Sequence, residues 1–245
     1  MEAKKSKEEY GNLYKLWEEF STVWSVEKLK AIDLKSYVEA GDKNTFCYWI
    51  ESRLDKLGSV WGGSAFKFGI FSRKEKTEKE DSRGALYSDD YGWYSKYGKD
   101  EATAFQVVKR TVIAIAEAAQ RGDLDAIDAI DFGEAIKWKI AFHYQDPSNP
   151  CIIDIYKTAP LRAFIGQSDK RLTMAGLQRL VLDKKSQDEG ILEFGTRVWK
   201  SWKEKDLVIW KISHGSQSFT DADRASYLAG HLAAMYEDPG KGQGK

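Results

Sequence analysis

Hydrophobic residues recur at helical spacing in the N-terminal part of the chain. Leu13 and Phe20 lie on a stripe that predicts an amphipathic first helix, and residues 26–32 predict a short second one. A third helical pattern begins at Phe46 and ends at Gly58, a residue type suited to the left-handed conformation after a helix. The chain is therefore predicted to open with helices.

Two later segments alternate instead, with the period of a half-buried strand. Residues 66–70 alternate Phe, Lys, Phe, Gly and Ile, and residues 135–144 carry an apolar side chain at every second position. The turn QDPSNP leads from the second segment into the apolar residues 151–156, which predicts an antiparallel hairpin. Lys137 and Lys139 then share its outer face.

The remaining periodic segments are mostly helical. Residues 105–119 predict a long helix that Asp100 caps and Gly122 ends. Further helices are predicted near residues 173–182 and 189–203.

The C-terminal segment has a pattern of its own. A strand is predicted over residues 207–213, before a last helix ending near Met235. The predicted fold is α+β, an antiparallel sheet packed with several helices, plus a truncated C-terminal strand–helix segment. The predicted domains are residues 1–206 and 207–245.

Composition narrows the possible roles. Lys plus Arg and Asp plus Glu both number 38, so contact with nucleic acid would need a local basic patch. Burying an aromatic ring stabilises a fold more than stacking on a base does, so most of the nine Trp are expected in the core. Cys47 and Cys151 are expected to be free thiols. Without an apolar run of 18 residues, a cytoplasmic protein with no membrane contact is predicted.

Familiar catalytic and metal-binding patterns are absent from the sequence. The terminal GKGQGK lacks the Ser or Thr that a phosphate-binding loop places after its Lys. His143, His214 and His231 are far apart, and neither Cys lies in a C-x-x-C pair. The prediction is therefore no catalytic residue, no metal site and no cofactor.

Glycine-containing aromatic segments are the best candidates for ligand contact. Trp61 precedes Gly62 and Gly63, and such a corner either plugs the core or presents the ring to a ligand. The same two alternatives hold for the ring-rich residues 87–97. Residues 72–83 mix basic and acidic side chains, which is typical of a solvated loop and less often of a phosphate-binding strip.

Four blocks of sequence carry a resemblance to a known family. They are FCYWIESRLDKLGSVWGGSAFKFGIF (residues 46–71), YGWYSKYGKDEATAF (91–105), AIKWKIAFHYQDPSNP (135–150) and VIWKISHGSQSF (208–219). Together with the terminal GKGQGK, they resemble the region ahead of the AAA+ motor in McrB-like proteins of modification-dependent restriction systems. The last block resembles the start of an EVE/YTH-like module.

The resemblance implies a non-enzymatic DNA-binding role in phage defence, with DNA, possibly modified, an AAA+ motor and a nuclease as partners. The nucleic-acid-binding candidates are cationic and aromatic side chains: Trp61, Lys67, Arg73, Lys74, Tyr91, Trp93, Tyr94, Lys137 and Lys139. The alternative is a protein-interaction or assembly module that does not touch DNA. Zero net charge favours that alternative.

Overall fold

The computed structural model describes residues 6–60, 62, 64–73 and 84–213, with side chains to residue 204. The fold is α+β, as predicted: a small antiparallel sheet packed with many helices. The helices are α1 (Lys7–Val23), α2 (Val26–Ala31), α3 (Leu34–Val38), α4 (Phe46–Tyr48), α5 (Glu101–Gln120), α6 (Leu124–Ala129), α7 (Glu134–Tyr144), α8 (Thr158–Ile165), α9 (Met174–Leu182) and α10 (Ile191–Ser213). The strands are β1 (Ile70–Ser72), β2 (Ala85–Tyr87) and β3 (Tyr91–Tyr94). A π-helix covers Trp49–Arg53, and 3-10 turns cover Ala65–Phe68 and Ser95–Tyr97.

Side-chain caps set the starts of several helices. Before α1, Ser6 accepts a hydrogen bond from the Glu9 N–H, and Glu9 accepts one in return from the Ser6 N–H. Asp100 caps α5 through the Thr103 N–H at 2.7 Å, and Gly122 follows that helix with a φ of +68°, so both predicted ends of α5 are confirmed. The predicted start of α9 is confirmed too, with Thr173 as its cap.

The core is built around α7, which packs against α1, α5, α6 and the π-helix. All nine side chains of residues 136–144 are buried. Trp138 is fully buried and Trp49 is 2% exposed, which confirms both as core residues.

The strand predicted over residues 135–144 is wrong, because this segment is helix α7. The prediction assumed that the polar residues at alternate positions face water, as on a half-buried strand. In the structure these polar residues are buried and hydrogen-bonded. Lys137 donates to the carbonyls of Asp128 and Ile130, and Lys139 donates to Leu54 O at 3.0 Å. A helix buried on all sides shows no amphipathic period that a sequence could reveal.

The predicted hairpin partner, residues 151–156, is an irregular segment. Two buried glutamines take the place of a neighbouring strand. Gln145 accepts from the N–H groups of Cys151 and Ile152 and donates to Ile152 O. Gln178 accepts from the Ile153 N–H and donates to the carbonyl of Ile155. These amide side chains satisfy backbone groups that would otherwise be buried without partners.

Two other strand predictions need correction. Residues 207–213 belong to α10, and that helix runs across the predicted boundary at residues 206 and 207. The boundary itself stays a prediction, and the predicted last helix near Met235 lies outside the described residues. In the 66–70 segment, a 3-10 turn comes first and β1 begins only at Ile70. Between them Gly69 has a φ of +84°, which breaks the alternation.

Within the described part of the chain, no helix combines the length and the apolar character needed to cross a membrane. Both cysteines are free thiols, as expected; Cys47 is buried and Cys151 half-buried.

Candidate nucleic-acid interface

The sheet has the order β1–β3–β2, and both pairings are antiparallel. Gly92 lies at its centre, opposite Phe71 on β1 and Tyr87 on β2. Because side chains alternate across a strand, Phe71, Tyr87 and Tyr94 share one face with Gly92. The other face carries the buried Ile70 and Trp93 toward the core.

Four half-buried rings cover the outer face. Three of them are on the strands, and the fourth, Phe66, packs against these three from the 3-10 turn before β1. We call Phe66, Phe71, Tyr87 and Tyr94 the aromatic face. The Phe66 ring stacks on Tyr94 with centroids 4.5 Å apart, and its edge meets Phe71 at 4.7 Å and Tyr87 at 6.2 Å. Such contacts hold each ring in place and leave part of each in solvent.

Gly92 allows the rings to lie this close to the strand. A Cβ atom at position 92 would come within 2.7 Å of the Phe71 ring and 3.0 Å of the Tyr87 ring. Any side chain there would push these rings apart, so the aromatic face depends on a glycine.

Arg73 lies beside this face. Its guanidinium lies 5.0 Å from the Tyr87 ring centroid, and Nη1 donates to Ser88 O at 2.6 Å. These contacts hold a planar cation beside the rings.

Lys67, another predicted DNA contact, is engaged within the protein. Its ammonium donates to the carbonyls of Val60 and Gly62 at 2.9 and 2.8 Å and pairs with Glu51. A phosphate would have to displace these partners, so Lys67 is a poor candidate.

Among the predicted rings that the structure describes, Tyr94 alone lies on the aromatic face. Tyr91 and Trp93 are 8% and 3% exposed on the core side, and burial raises the pKa of Tyr91. The Trp93 indole donates to Gly98 O at 3.0 Å. Their burial argues against base contact, and Trp61 and Lys74 lie outside the described residues.

Burial also argues against Lys137 and Lys139 as phosphate contacts. They are 2% and 0% exposed on helix α7, so neither ammonium can reach a phosphate. Burial lowers the pKa of Lys139 from its ordinary value of 10.5 to about 7, while Asp55 opposes that shift. Charge changes at these two positions would act on folding.

The sequence reasoning missed Phe66, Phe71 and Tyr87. Their signal is their strand register, since Phe71 and Tyr87 both pair with Gly92, but register is not visible before the strands are aligned. The described residues contain no group of three or more His, Cys, Asp or Glu placed to hold a metal ion.

Comparisons with protein-family models, with curated proteins and with solved structures found no match to this chain.

Proposed function

We propose that this chain is the target-recognition region of a McrB-like restriction protein and that it contacts DNA bases through the aromatic face. The observation that carries the proposal is the group of four half-buried rings beside Arg73 on the outer face of the sheet. In this proposal the chain has no catalytic role. It works in the cytoplasm, and an AAA+ motor and a nuclease act on the DNA it selects.

The chemistry of base contact supports this assignment. Aromatic side chains on a sheet stack with unpaired bases, and each such contact is worth roughly 1–3 kcal/mol. A base flipped out of a duplex, or one in a single strand, presents the flat surface that Tyr94 and Phe66 could cover. Arg73 would meet the adjacent phosphate by exchanging protein contacts such as the one to Ser88 O.

A protein-interaction module is the second candidate, and the burial of the predicted cations favours it. Lys137 and Lys139 are inside the core, and Lys67 is paired with Glu51. The chain also has zero net charge, so no bulk attraction draws it to phosphate. Half-buried aromatic side chains beside an arginine are equally typical of protein interfaces.

We expect Phe66→Ala and Tyr94→Ala to weaken DNA binding roughly tenfold or more, because each removes a stacking surface. Binding is measured by fluorescence anisotropy with a single strand, a plain duplex and duplexes with modified bases. Tyr48→Ala is the matched control, since Tyr48 is a half-buried tyrosine on α4 and not a member of the aromatic face.

Equal losses in all three variants would point to a general folding defect, and unchanged affinity in Phe66→Ala and Tyr94→Ala would remove the aromatic face as the DNA contact. If the wild-type chain binds none of these DNAs at micromolar concentration, the protein-interaction candidate replaces DNA recognition.

A further inference from the structure

Lys67 connects three separate parts of the chain. It lies in the 3-10 turn before β1, directly after Phe66 of the aromatic face. Its ammonium pairs with Glu51 on the π-helix and donates to Val60 O at 2.9 Å and to Gly62 O at 2.8 Å. An ammonium has three N–H donors, so these contacts use all of them. With its side chain 15% exposed, Lys67 is engaged within the protein.

The other side of this turn is fixed on the core. Phe68 is 3% exposed, and its carbonyl accepts a hydrogen bond from the Tyr37 hydroxyl at 2.9 Å. Lys67 O packs against Gly133, where a Cβ atom would lie 2.9 Å from it. Because Phe66 lies outside the strands, the contacts of the two residues that follow it determine where its ring lies.

Glu51 belongs to a segment that is tied to the core. Trp49, on the same π-helix, is 2% exposed. Leu54 follows this helix, and its carbonyl accepts a hydrogen bond from the buried Lys139 ammonium at 3.0 Å. The Glu51 side chain is 31% exposed. Its carboxylate is therefore a fixed partner for Lys67.

We propose that Lys67 and Glu51 are positioning residues of the aromatic face. Glu51 orients the Lys67 ammonium, and the ammonium fixes the turn so that the Phe66 ring stacks on Tyr94 at 4.5 Å. The effect on DNA rests on the proposed function, whereas the effect on the rings concerns the protein alone. Lys67 acts on DNA through Phe66 and not through its own charge.

The ion pair with Glu51 distinguishes this role from a direct phosphate contact. If Lys67 bound a phosphate, the Glu51 carboxylate would compete with DNA, and Glu51→Gln would release the ammonium and tighten binding. In the positioning role the same substitution weakens the hold on Lys67, so DNA binding becomes weaker. Gln keeps an oxygen acceptor for the ammonium, so this variant is expected to fold.

We expect Glu51→Gln to weaken DNA binding roughly fivefold and Lys67→Met roughly tenfold, because each displaces a stacking ring. Binding is measured by fluorescence anisotropy at several salt concentrations, with whichever of the single strand and the duplexes the wild-type chain binds most tightly. The dependence of affinity on salt should keep its wild-type slope in both variants, since no phosphate contact is lost. Glu18→Gln is the matched control, because it removes the same charge from an exposed side chain on α1.

The arrangement of the rings is measured without DNA. In NMR spectra of protein with isotope-labelled tyrosine, the ring signals of Tyr94 report the Phe66 ring stacked on it, and Tyr94→Phe identifies these signals. We expect Lys67→Met and Glu51→Gln to shift the Tyr94 signals toward their positions in Phe66→Ala. Glu18→Gln should leave them unchanged. Thermal unfolding of the same variants records any loss of stability.

Tighter DNA binding by Glu51→Gln, or a smaller salt slope in Lys67→Met, would overturn the proposal in favour of a direct phosphate contact. Unchanged Tyr94 signals in both variants would overturn it as well, even if their stability falls. If the wild-type chain binds no DNA while the Tyr94 signals shift as expected, the positioning role is supported and the proposed DNA function fails.

Discussion

Lys139→Met should stabilise the protein at pH 7, and that gain should disappear as the pH rises to 9.5. The Lys139 ammonium is fully buried on α7 and donates to a single carbonyl, Leu54 O, among the described residues. Desolvation lowers its pKa to about 7; Asp55, Glu51 and Asp154 oppose that effect, and Lys67 adds to it. Met has a similar volume and no charge, so it fits the site without the cost of a buried ammonium.

The direction of the pH dependence follows from the number of protons that the folded and unfolded states bind. Between pH 7 and 10.5 the unfolded chain keeps the Lys139 proton while the folded protein has lost it, so wild-type stability rises with pH. The rise amounts to about 3 kcal/mol between pH 7 and 9.5. The variant lacks this rise and also loses the bond to Leu54 O, worth about 1–3 kcal/mol. The buried tyrosines, whose pKa values burial raises, stay protonated in this window.

Urea unfolding followed by tryptophan fluorescence at several pH values measures the unfolding free energies of the variant and the wild type. Lys137→Met is the control, because the same substitution on the same helix removes an ammonium with two carbonyl acceptors and an ion pair to Glu134. That variant should lose about 1–3 kcal/mol at each pH. A Lys139→Met protein that keeps the wild-type pH slope would contradict the prediction.

His143→Phe should make the protein more resistant to acid. The imidazole is 1% exposed and is surrounded by the rings of Trp17, Phe20 and Phe142. Burial lowers its pKa from 6.5 to about 3, and the nearby Lys139 contributes. Its Nδ1 lies 2.7 Å from Lys139 O, which places the proton on Nδ1, while Nε2 has no hydrogen-bond partner among the described residues.

Between pH 6.5 and 3 the unfolded chain binds a proton at His143 that the folded protein does not bind. Stability is therefore lost as the pH falls, by about 3 kcal/mol between pH 6.5 and 4. A phenylalanine fits among the same rings and does not titrate. The measurement is the difference in unfolding free energy between variant and wild type, taken at pH 7 and at pH 4. Taking the difference removes the contribution of the carboxylates, because both proteins contain them.

A difference that stays constant between those pH values would show that His143 titrates normally. A second check measures the effect of His143→Phe in a protein that already carries Lys139→Met. Without the neighbouring ammonium the pKa of His143 should be higher, so the substitution should then gain less acid resistance.

The sequence predicted amphipathic helices better than buried ones. In α5, apolar residues recur on one side of the helix. Asp100 caps its start and Gly122 follows its end, so both ends could be predicted from the sequence. In α7, Lys137, Lys139 and His143 are buried beside the apolar residues, and the resulting alternation is typical of a strand. The error arose because burial of a charged side chain depends on acceptors such as Leu54 O, which are distant in sequence.

Only part of the candidate site could be predicted from the sequence, again because distant contacts decide which side chains are exposed. A ring-rich segment was recognised, but which of its rings face outward depends on the pairing of β3 with β1 and β2. Tyr94 shares a face with Gly92, whereas Trp93 points toward the core. Phe66 precedes the sheet in a 3-10 turn, so no strand pattern could have placed it there.

The burial of α7 on every side also determines how its backbone amides meet solvent. A helix with one exposed face can fray or open locally, whereas α7 cannot leave its neighbours α1, α5 and α6 without disrupting the core. The amide hydrogens of residues 140–144 should therefore exchange with deuterium only when the whole domain unfolds. Their exchange rates would then report the global unfolding free energy in native buffer, without denaturant.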